Sequence, residues 1–299
     1  FAIGVNAGAD ALFLALKALG IGSGDEVLTV PNSFVATAGA IVAAGSKPVF
    51  VDVGADYNMD VNLIAPAITT RTKAILPVHL TGNPADMPRI LEIAKQHHLA
   101  VIEDAAQAVA ASIEGQPVGS FGDAGCFSLH PLKNLNVCGD GGVLTTNSAG
   151  IHEKVKLWRN HGLKNRDEIE FFGYNSRLDT IHATVALHGM KSLHALTEIR
   201  RKHAQIYDQE LQELSDAVTL PPRRKDVRQV FHTYIVQVQR RAELMTYLHD
   251  HGVETKIHYP IPIHLQKPCL AMGYKRGDFP VCEQQAEMIP CGLIYPSTH

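Results

Sequence analysis

The chain of 299 residues has a net charge of −3, and charged residues make up 19% of its composition. This length accommodates one large domain and a smaller one, and the near-neutral charge offers no basic surface for nucleic acid. No apolar run approaches the roughly 20 residues that cross a bilayer, and we find no signal peptide pattern. The composition therefore predicts a globular protein with neither nucleic acid nor membrane as a partner.

The cysteines are odd in number, far apart and without a Cys-x-x-Cys pair: Cys126, Cys138, Cys269, Cys282 and Cys291. This pattern argues against a disulfide framework and against a structural zinc site. The 16 histidines show no His-Glu-x-x-His or similar ligand spacing, so no metal site is predicted. We expect a reducing compartment and hence a cytoplasmic location.

In the first half of the chain, continuous apolar strands alternate with helices. The predicted strands are Glu26–Val30, Pro48–Asp52, Lys73–Val78 and Leu99–Asp104, and the predicted helices are Asp10–Leu19, Ser33–Ala44, Asn62–Ile68 and one that begins near Met87. This alternation indicates a mainly parallel sheet covered on both faces. Residues Phe1–Val5 read like the interior of a strand, so we expect the natural N-terminus to be missing.

The second half of the chain predicts a second, smaller unit. Val143–Thr146 continues the sheet, and helices are predicted at Ile151–Asn160 and Asp179–Leu187. A long amphipathic helix, Leu193–Leu214, links to a smaller α+β part. That part comprises a strand Val230–Val238, a helix Arg241–His251 and a strand Val253–Ile257. The predicted domains are residues 1–190, which would bind a cofactor, and residues 191–299.

Candidate functional residues fall where predicted strands end, which is where parallel sheets bind ligands. The small-residue turn at Gly8 feeds a helix N-terminus, an arrangement that suits a phosphate. Asp104 ends an apolar strand, where a carboxylate is costly unless a cation or several donors meet it. Two interpretations stand for Asp104: an N-cap of a helix Ala105–Ala111, or a counter-ion for a buried ring nitrogen. Lys133, in a loop broken by Pro131, is either a solvated lysine or a nucleophile.

Together these pieces match the requirements of pyridoxal 5′-phosphate (PLP). This cofactor needs a lysine for a Schiff base, an acid facing its ring nitrogen, donors around a phosphate and an apolar or aromatic cover. Lys133, Asp104, the Gly8 turn and Phe34 supply them. Each piece is a weak signal singly, and the ordered set is much more specific.

The ordered motifs resemble the DegT/DnrJ/EryC1/StrS family of sugar aminotransferases over nearly the whole chain. The segments that carry the resemblance are Asn6–Leu12, Gly24–Val27, Glu103–Gln107, Gly122–Ser128, Lys133–Leu135 and Gly173–Asp179. The resemblance implies an α/β fold of PLP-transferase fold type I. It comprises a large domain with a mainly parallel, seven-stranded sheet and a small C-terminal α+β domain. Family members extend beyond both ends of this sequence, so we expect both ends to be clipped.

The resemblance also implies roles for particular residues. Lys133 would form the internal aldimine, Asp104 would pair with the pyridine nitrogen, and Asn175 would reach the phosphate from the partner subunit of a homodimer. Phe34 would stack on the ring, Gln107 would lie near the ring hydroxyl, and Ser128 would help to hold the phosphate. The full set of implied cofactor-binding residues is Gly8, Ala9, Asp10, Phe34, Asp104, Gln107, Ser128, Lys133 and Asn175. Many family members have Thr or Ser where this chain has Ala9, so one hydroxyl donor is absent.

Three residues are candidates for contact with the substrate. Tyr259 and His264 belong to a segment similar to the family's Tyr-x-x-Pro-x-His-x-Gln motif, and His130 lies two residues after Ser128. A structural role in their loops is the alternative for each of them.

The resulting prediction is a PLP-dependent aminotransferase that moves an amino group from an amino acid, expected to be L-glutamate, to a keto sugar that is often nucleotide-linked. A sugar dehydratase on the same scaffold is less favoured because such relatives have histidine in place of Lys133. A non-catalytic regulatory relative would lack the lysine or the acid, and both are present. A nicotinamide-binding fold is disfavoured since no Gly-x-Gly-x-x-Gly turn follows the first strand. The variant sequence Ser128–Leu132 leaves open a free sugar or a sugar acid.

Overall fold

The computed structural model describes residues 1–288 and 292–293. Its centre is a seven-stranded sheet with the strand order β1-β7-β6-β5-β4-β2-β3. In chain order these strands are β1 (Ala2–Val5), β2 (Glu26–Thr29), β3 (Lys47–Phe50), β4 (Thr72–Ile75), β5 (Ala100–Asp104), β6 (Ala124–Ser128) and β7 (Gly142–Thr145). Strands β2 to β6 pair in parallel, and β7 runs antiparallel to both of its neighbours. The mainly parallel sheet is therefore confirmed.

Helices follow most of these strands. They are α1 (Gly8–Ala18), α2 (Val35–Ala43), α3 (Ile64–Ala67), α4 (Met87–Gln96), α5 (Ala149–Trp158), α6 (Thr180–Gln212), α7 (Arg241–Asp250), α8 (Lys267–Ala271) and α9 (Pro280–Met288). Val101 and Ile102, neighbours in β5, belong to two different clusters of buried apolar side chains. Because alternate residues of a strand point to opposite faces, the sheet has a core on each side.

Helix α1 places its N-terminus beside the end of β6. A Cβ atom added at Gly8 would lie 2.6 Å from Ser128 Cβ, so only glycine allows this close approach. The helix ends at Ala18, and Gly20 adopts a φ of 76° just beyond it, as expected for a glycine that terminates a helix. The turn at Gly8, for which the sequence predicts phosphate binding, is therefore held against the carboxyl end of β6.

Helix α6 corrects the prediction of two separate helices. The structure has one helix from Thr180 to Gln212, where the sequence predicted Asp179–Leu187 and Leu193–Leu214. The residues between those segments contain no proline and a single glycine, Gly189, and one glycine costs a helix only about 1 kcal/mol. The helix therefore continues through them.

The prediction of a strand over Val230–Val238 is mostly wrong. Only Gln237–Val238 is a strand, paired with Val218–Thr219. Further upstream, the backbone N–H groups of Val230 and His232 donate to the carbonyls of Gly82 and Thr81. Most residues of the segment 230–236 are apolar and buried, among them Val230, Phe231 and Tyr234, since the segment fills a crevice beside the turn at Thr81 and Gly82. That burial gives the same sequence pattern as a strand.

Several short strands complete the structure. Val227–Arg228 and Gln116–Pro117 flank Ser112–Ile113, and Thr255–Lys256 pairs with Gly292–Leu293. Thr255–Lys256 lies inside the predicted strand Val253–Ile257.

The division into domains 1–190 and 191–299 remains a prediction. Residue 190 lies within α6, so the boundary does not coincide with a break in secondary structure. Ile263 and Cys269 pack in the same apolar cluster as Phe50 and Val51 of the β3 region. This C-terminal segment therefore packs into the core beside the central sheet. Cys291 and the Pro296 region lie outside the described residues.

Candidate active site

A cavity of about 430 Å³ lies at the carboxyl ends of β5 and β6. Asp104 is the last residue of β5, Ser128 is the last residue of β6, and both line the cavity together with the start of α1. The predicted site residues that line it are Gly8, Ala9, Phe34, Asp104, Gln107, Ser128, His130, Lys133 and Tyr259. The fold thus brings into one place residues that are as far apart in the sequence as Gly8 and Tyr259.

Asp104 is a buried carboxylate with fixed hydrogen-bond partners. The Thr37 hydroxyl donates to its Oδ2 atom at 2.8 Å, and the Ala106 backbone N–H donates to its Oδ1 atom at 3.2 Å. Burial raises the pKa of Asp104, and these two donors together with the charge of Lys133 oppose that rise. The interpretation of Asp104 as the cap of a helix Ala105–Ala111 is wrong, since those residues form turns.

Lys133 extends its side chain into the same cavity from a turn. Its backbone N–H donates to the His130 carbonyl at 2.8 Å, which closes the turn that contains Pro131. Burial lowers the pKa of Lys133, while the negative charge of Asp104 acts in the opposite direction. A lysine with a lowered pKa has more of its amine in the neutral form that attacks a carbonyl. The structure therefore places a potential nucleophile beside a buried acid.

One end of the cavity has the properties of a phosphate site. Helix α1 begins at Gly8, and its N-cap residue Ala7 makes no side-chain cap, so the first-turn N–H groups have no side-chain acceptor there. Ser128 lies directly against this helix end, and the His130 backbone N–H donates to its Oγ atom at 3.3 Å. A helix N-terminus and a hydroxyl at one point suit an anion. Ala9 contributes no hydroxyl.

Away from the phosphate end, the cavity is lined by two aromatic rings, Phe34 and Tyr259, and by the amide of Gln107. Phe34 is 54% exposed, and its ring centre lies 6.0 Å from that of Tyr259. The Thr81 backbone N–H donates to Gln107 Oε1 at 2.6 Å, and Gln107 Nε2 donates to the Tyr259 hydroxyl at 3.3 Å. The amide of Gln107 therefore has a fixed orientation, with its NH₂ group toward Tyr259.

Three of the predicted site residues do not line the cavity. Asp10 accepts a hydrogen bond from the Ser176 hydroxyl at 2.7 Å, since its position in the first turn of α1 directs it to that segment. Asn175 is exposed on the surface of the subunit. His264 is completely buried, and its Nε2 atom lies 2.9 Å from Glu283 Oε1. The position of His264 gives it a structural role, so the substrate contact predicted for it is not supported.

Other residues of the cavity were not among the predicted site residues, and those with polar side chains are Ser33, Thr37, Asp140, Arg200, His232, Thr233, Lys256 and His258. His258 precedes Tyr259 in the recognised segment and could have been included. His232 and Arg200 belong to no motif that we identified, and only the packing of their segments brings them to Lys133. Within the described residues, no group of three or more His, Cys, Asp or Glu side chains is arranged to hold a metal ion.

A lysine of lowered pKa, a buried carboxylate and a helix N-terminus at the edge of a parallel sheet define a PLP-dependent transferase of fold type I. Residues 1–298 match the DegT/DnrJ/EryC1/StrS aminotransferase family. The chain belongs to that family.

Named relatives cover most of the chain. It is 45% identical over 295 residues to the UDP-N-acetyl-3-dehydro-alpha-D-glucosamine 3-aminotransferase of Acidithiobacillus ferrooxidans, covering 98% of this chain and 79% of the relative. It is 44% identical over 287 residues to a "Pleiotropic regulatory protein" of Geobacillus stearothermophilus, covering 95% of this chain and 77% of the relative. The family thus contains proteins with enzymatic and with regulatory names.

Solved structures show the same fold. The X-ray structure of S. venezuelae DesV in complex with a ketimine intermediate matches with a TM-score of 0.95 and 38% identity, over 98% of this chain and 79% of that one. The structure of NtdA from Bacillus subtilis with bound pyridoxamine phosphate (PMP) matches with a TM-score of 0.90 and 35% identity, over 99% and 69%. These comparisons confirm the predicted family, the fold type, the cofactor and the activity of a sugar aminotransferase.

Proposed function

We propose that this cavity transfers an amino group from an amino acid, with L-glutamate as the expected donor, to the carbonyl carbon of a keto sugar. The observation that carries the proposal is that Lys133 and the buried Asp104 share one cavity and affect each other's pKa. The paired lysine and acid also favour transamination over a dehydratase or a non-catalytic role.

The residues present fit PLP. The N-terminus of α1 at Gly8 and the Ser128 hydroxyl would hold the phosphate, Asp104 would face the ring nitrogen, and Phe34 would cover the ring. Lys133 would hold the aldehyde carbon. Bound PLP supplies an electron sink that stabilises negative charge at the α-carbon of an amino acid.

The side chains of this protein supply the rest of the chemistry. Asp104, fixed by Thr37 and the Ala106 N–H, would supply the negative charge that keeps a facing ring nitrogen protonated. The Nζ atom of Lys133 would take the proton from the Cα atom of the amino acid as a general base and would deliver it, as a general acid, to the former aldehyde carbon of the cofactor. Its lowered pKa suits this exchange, because an amine that titrates nearer neutral pH serves in both directions.

We also propose that the enzyme is a homodimer in which Asn175 completes the neighbouring cavity. Large apolar side chains are exposed close to Asn175 and along the first half of α6: Phe172 at 89%, Ile181 at 75%, Leu187 at 65% and Met190 at 56%. Such a concentration of apolar surface is typical of a protein interface. Leu132, next to Lys133, is also 78% exposed, which places uncovered apolar surface beside the cavity.

We propose a nucleotide-linked keto sugar as the acceptor. Arg200 and Lys256 line the cavity and would face the phosphates of such a substrate. The relative from Acidithiobacillus ferrooxidans is named for a UDP-linked keto sugar.

We propose a cytoplasmic location. Cys126, Cys138, Cys269 and Cys282 are free thiols, which suits a reducing compartment. In the part of the chain that the structure describes, no helix has the length and apolar character needed to cross a bilayer.

Spectroscopy of the two half-reactions tests the proposed function. The purified protein should acquire the absorption band of a lysine-bound cofactor on incubation with PLP. L-Glutamate should then convert it to the PMP form, and a keto sugar should restore the band. The acceptors to compare are UDP-N-acetyl-3-dehydro-alpha-D-glucosamine and free keto sugars. Failure of the band to form would contradict the proposal, and ammonia release without an amino donor would favour the dehydratase.

A further inference from the structure

We propose that His232 selects the acceptor: its Nε2 atom, which carries no proton, accepts a hydrogen bond from a hydroxyl group of the keto sugar. This inference rests on the proposed function and adds a recognition residue that no sequence motif identified. His232 lines the cavity beside Lys133 and comes from the crevice-filling segment before Gln237–Val238.

The hydrogen bonds of Asn134 determine which nitrogen of His232 carries the proton. Asn134 Nδ2 donates to the Val230 carbonyl at 3.3 Å, and a carbonyl oxygen can only accept. The amide oxygen of Asn134 therefore faces the imidazole, with Oδ1 3.4 Å from Nδ1 of His232. Because this oxygen is also only an acceptor, Nδ1 must carry the proton. In the neutral ring Nε2 is then an acceptor, and the described residues provide no hydrogen-bond partner for it.

The position of His232 is fixed from two sides. Its backbone N–H donates to the Thr81 carbonyl at 2.9 Å, and the Val230 N–H donates to the Gly82 carbonyl at 3.0 Å. The same turn holds Gln107 through the Thr81 N–H. The imidazole is thus held in a fixed position relative to Lys133 and Gln107. A side chain that recognises the position of a substrate hydroxyl group needs such a fixed position.

Electrostatics keep the ring neutral. Burial lowers the pKa of His232 well below its usual range, and the positive charges of Lys133, His258 and Arg200 lower it further. A protonated ring would offer a donor at Nε2, so the neutral state is what makes an acceptor available.

A hydrogen-bond acceptor at the position of His232 Nε2 distinguishes the keto sugar from the amino acid donor. Gln107 presents an NH₂ group, and Arg200 and Lys256 can only donate. These groups suit phosphate and carboxylate oxygens. The lone pair of His232 Nε2 cannot bond to a carboxylate, which is itself only an acceptor, but it matches a sugar hydroxyl group. His232 should therefore affect the sugar half-reaction more than the amino acid half-reaction.

The first experiment measures the tautomer without any substrate. Nitrogen-15 NMR spectra of the holoenzyme, labelled at histidine and assigned by comparison with His232→Gln, should show a neutral ring with the proton on Nδ1. That ring should stay neutral at pH values where exposed histidines, with pKa values of about 6.5, become charged. A proton on Nε2, or a charged ring at neutral pH, would overturn the proposal.

The second experiment compares the two half-reactions in single turnovers, with L-glutamate and with UDP-N-acetyl-3-dehydro-alpha-D-glucosamine. In His232→Leu the ratio of kcat/KM for the sugar to that for glutamate should fall by about 10- to 100-fold, because a substrate hydroxyl loses its acceptor. His232→Gln, whose amide oxygen can accept, should recover part of this ratio. His249→Leu removes an exposed histidine of α7 and should leave the ratio unchanged.

The outcomes separate the inference from the function on which it rests. Equal losses in both half-reactions, or no loss in either, would mean that His232 is only structural. If the wild-type protein does not react with glutamate at all, the proposed function fails, and the NMR spectrum still decides the tautomer of His232. PLP affinity, measured by absorbance, should be similar in His232→Leu and His232→Gln, so that a difference in sugar kinetics reflects the acceptor atom.

Discussion

The hydroxyl of Thr37 donates to Asp104 Oδ2 across 2.8 Å, and this bond connects α2 with the end of β5. Since the Thr37 proton is used in that bond, the Ser33 hydroxyl at 2.7 Å must donate to Thr37. Two hydroxyl groups in series thus support one buried carboxylate. A chain of this kind stabilises the negative charge that a cationic ring nitrogen needs.

We expect Thr37→Val to weaken cofactor binding. The substitution keeps the shape of the side chain and removes the donor that lowers the pKa of Asp104, so the charged carboxylate becomes less favourable. The lost bond is worth about 1–2 kcal/mol, or about a tenfold increase in the Kd for PLP. An absorbance titration measures this change. Thr246→Val, which removes an exposed hydroxyl of α7, should bind PLP normally. An unchanged Kd in Thr37→Val would contradict this role.

Lys133→Ala should abolish turnover and leave PLP bound only non-covalently. The variant removes the amine that faces Asp104 in the cavity, while the phosphate end at Gly8 remains. Borohydride reduction followed by mass spectrometry should label the wild-type protein at Lys133 and should not label the variant. Lys95→Ala, at the exposed end of α4, is the matched control. Retained activity in Lys133→Ala would refute the assignment.

Asp104→Asn should make the cofactor-free protein more stable at high pH. Burial raises the pKa of Asp104, so the folded state holds this proton more tightly than the unfolded state. The resulting destabilisation grows as pH rises from the unfolded pKa through the folded one, and it is absent at lower pH. Urea unfolding should show a higher free energy for Asp104→Asn at pH 8 and a smaller difference at pH 4.

The same variant should lose function. Without the charge opposite the ring nitrogen, turnover should fall by about 100-fold or more. Asp216→Asn, a substitution at an exposed position, should alter neither the free energy of unfolding nor the turnover. Asp104→Asn protein that is less stable than wild type at pH 8 would show that its hydrogen bonds outweigh the cost of burying the charge.

Gly8→Ala should disrupt the phosphate end of the cavity. The new Cβ atom would lie 2.6 Å from Ser128 Cβ and 3.0 Å from its Cα atom, so the strand end must move. Overpacking of this kind costs about 1–3 kcal/mol, and PLP affinity should fall with it. Gly39→Ala in α2 meets nothing within 4 Å and should stabilise the protein slightly. Thermal unfolding and PLP titration of both variants check this contrast.

Hybrid dimers test whether Asn175 acts in the partner's cavity. Lys133→Ala and Asn175→Ala should each be nearly inactive alone. If each cavity combines Lys133 of one subunit with Asn175 of the other, a refolded equal mixture should recover about a quarter of wild-type activity, since half of the dimers are mixed and each has one intact site. A mixture that recovers nothing would place both residues in the same subunit's site. Asn147→Ala, an exposed change elsewhere, is the control.

The sequence was sufficient to predict the mainly parallel sheet, and it predicted that Lys133 and Asp104 lie together at its edge, where both line one cavity. The apolar run Leu99–Ile102 before Glu103 and Asp104 indicates a buried strand of a parallel sheet, and β5 is such a strand. Phe34 and Ser128 follow because they lie at elements whose ends must meet at one edge of a parallel sheet, whereas Gln107 was predicted only from the family resemblance.

The remaining positions depend on packing between distant segments. The pattern of Val230–Val236 reports burial, and burial is the same for a strand and for a loop held by Thr81 and Gly82. His264 has the sequence context of a substrate residue, but Glu283 of α9 pairs with it in the core. His232 reaches the cavity only because its segment fills a crevice. Sequence spacing carries no information about such contacts.

Helix α6 has a mechanical consequence. Ile181, on its exposed apolar part, and Arg200, which lines the cavity, lie about 28 Å apart along one unbroken helix. Arg200 also donates to the Phe231 carbonyl, next to His232. A helix of this length is rigid. If a second subunit docks on its first half and changes its tilt, Arg200 at the wall of the cavity would therefore move as well. Subunit association would then tune the shape of the acceptor site as well as add a residue to it.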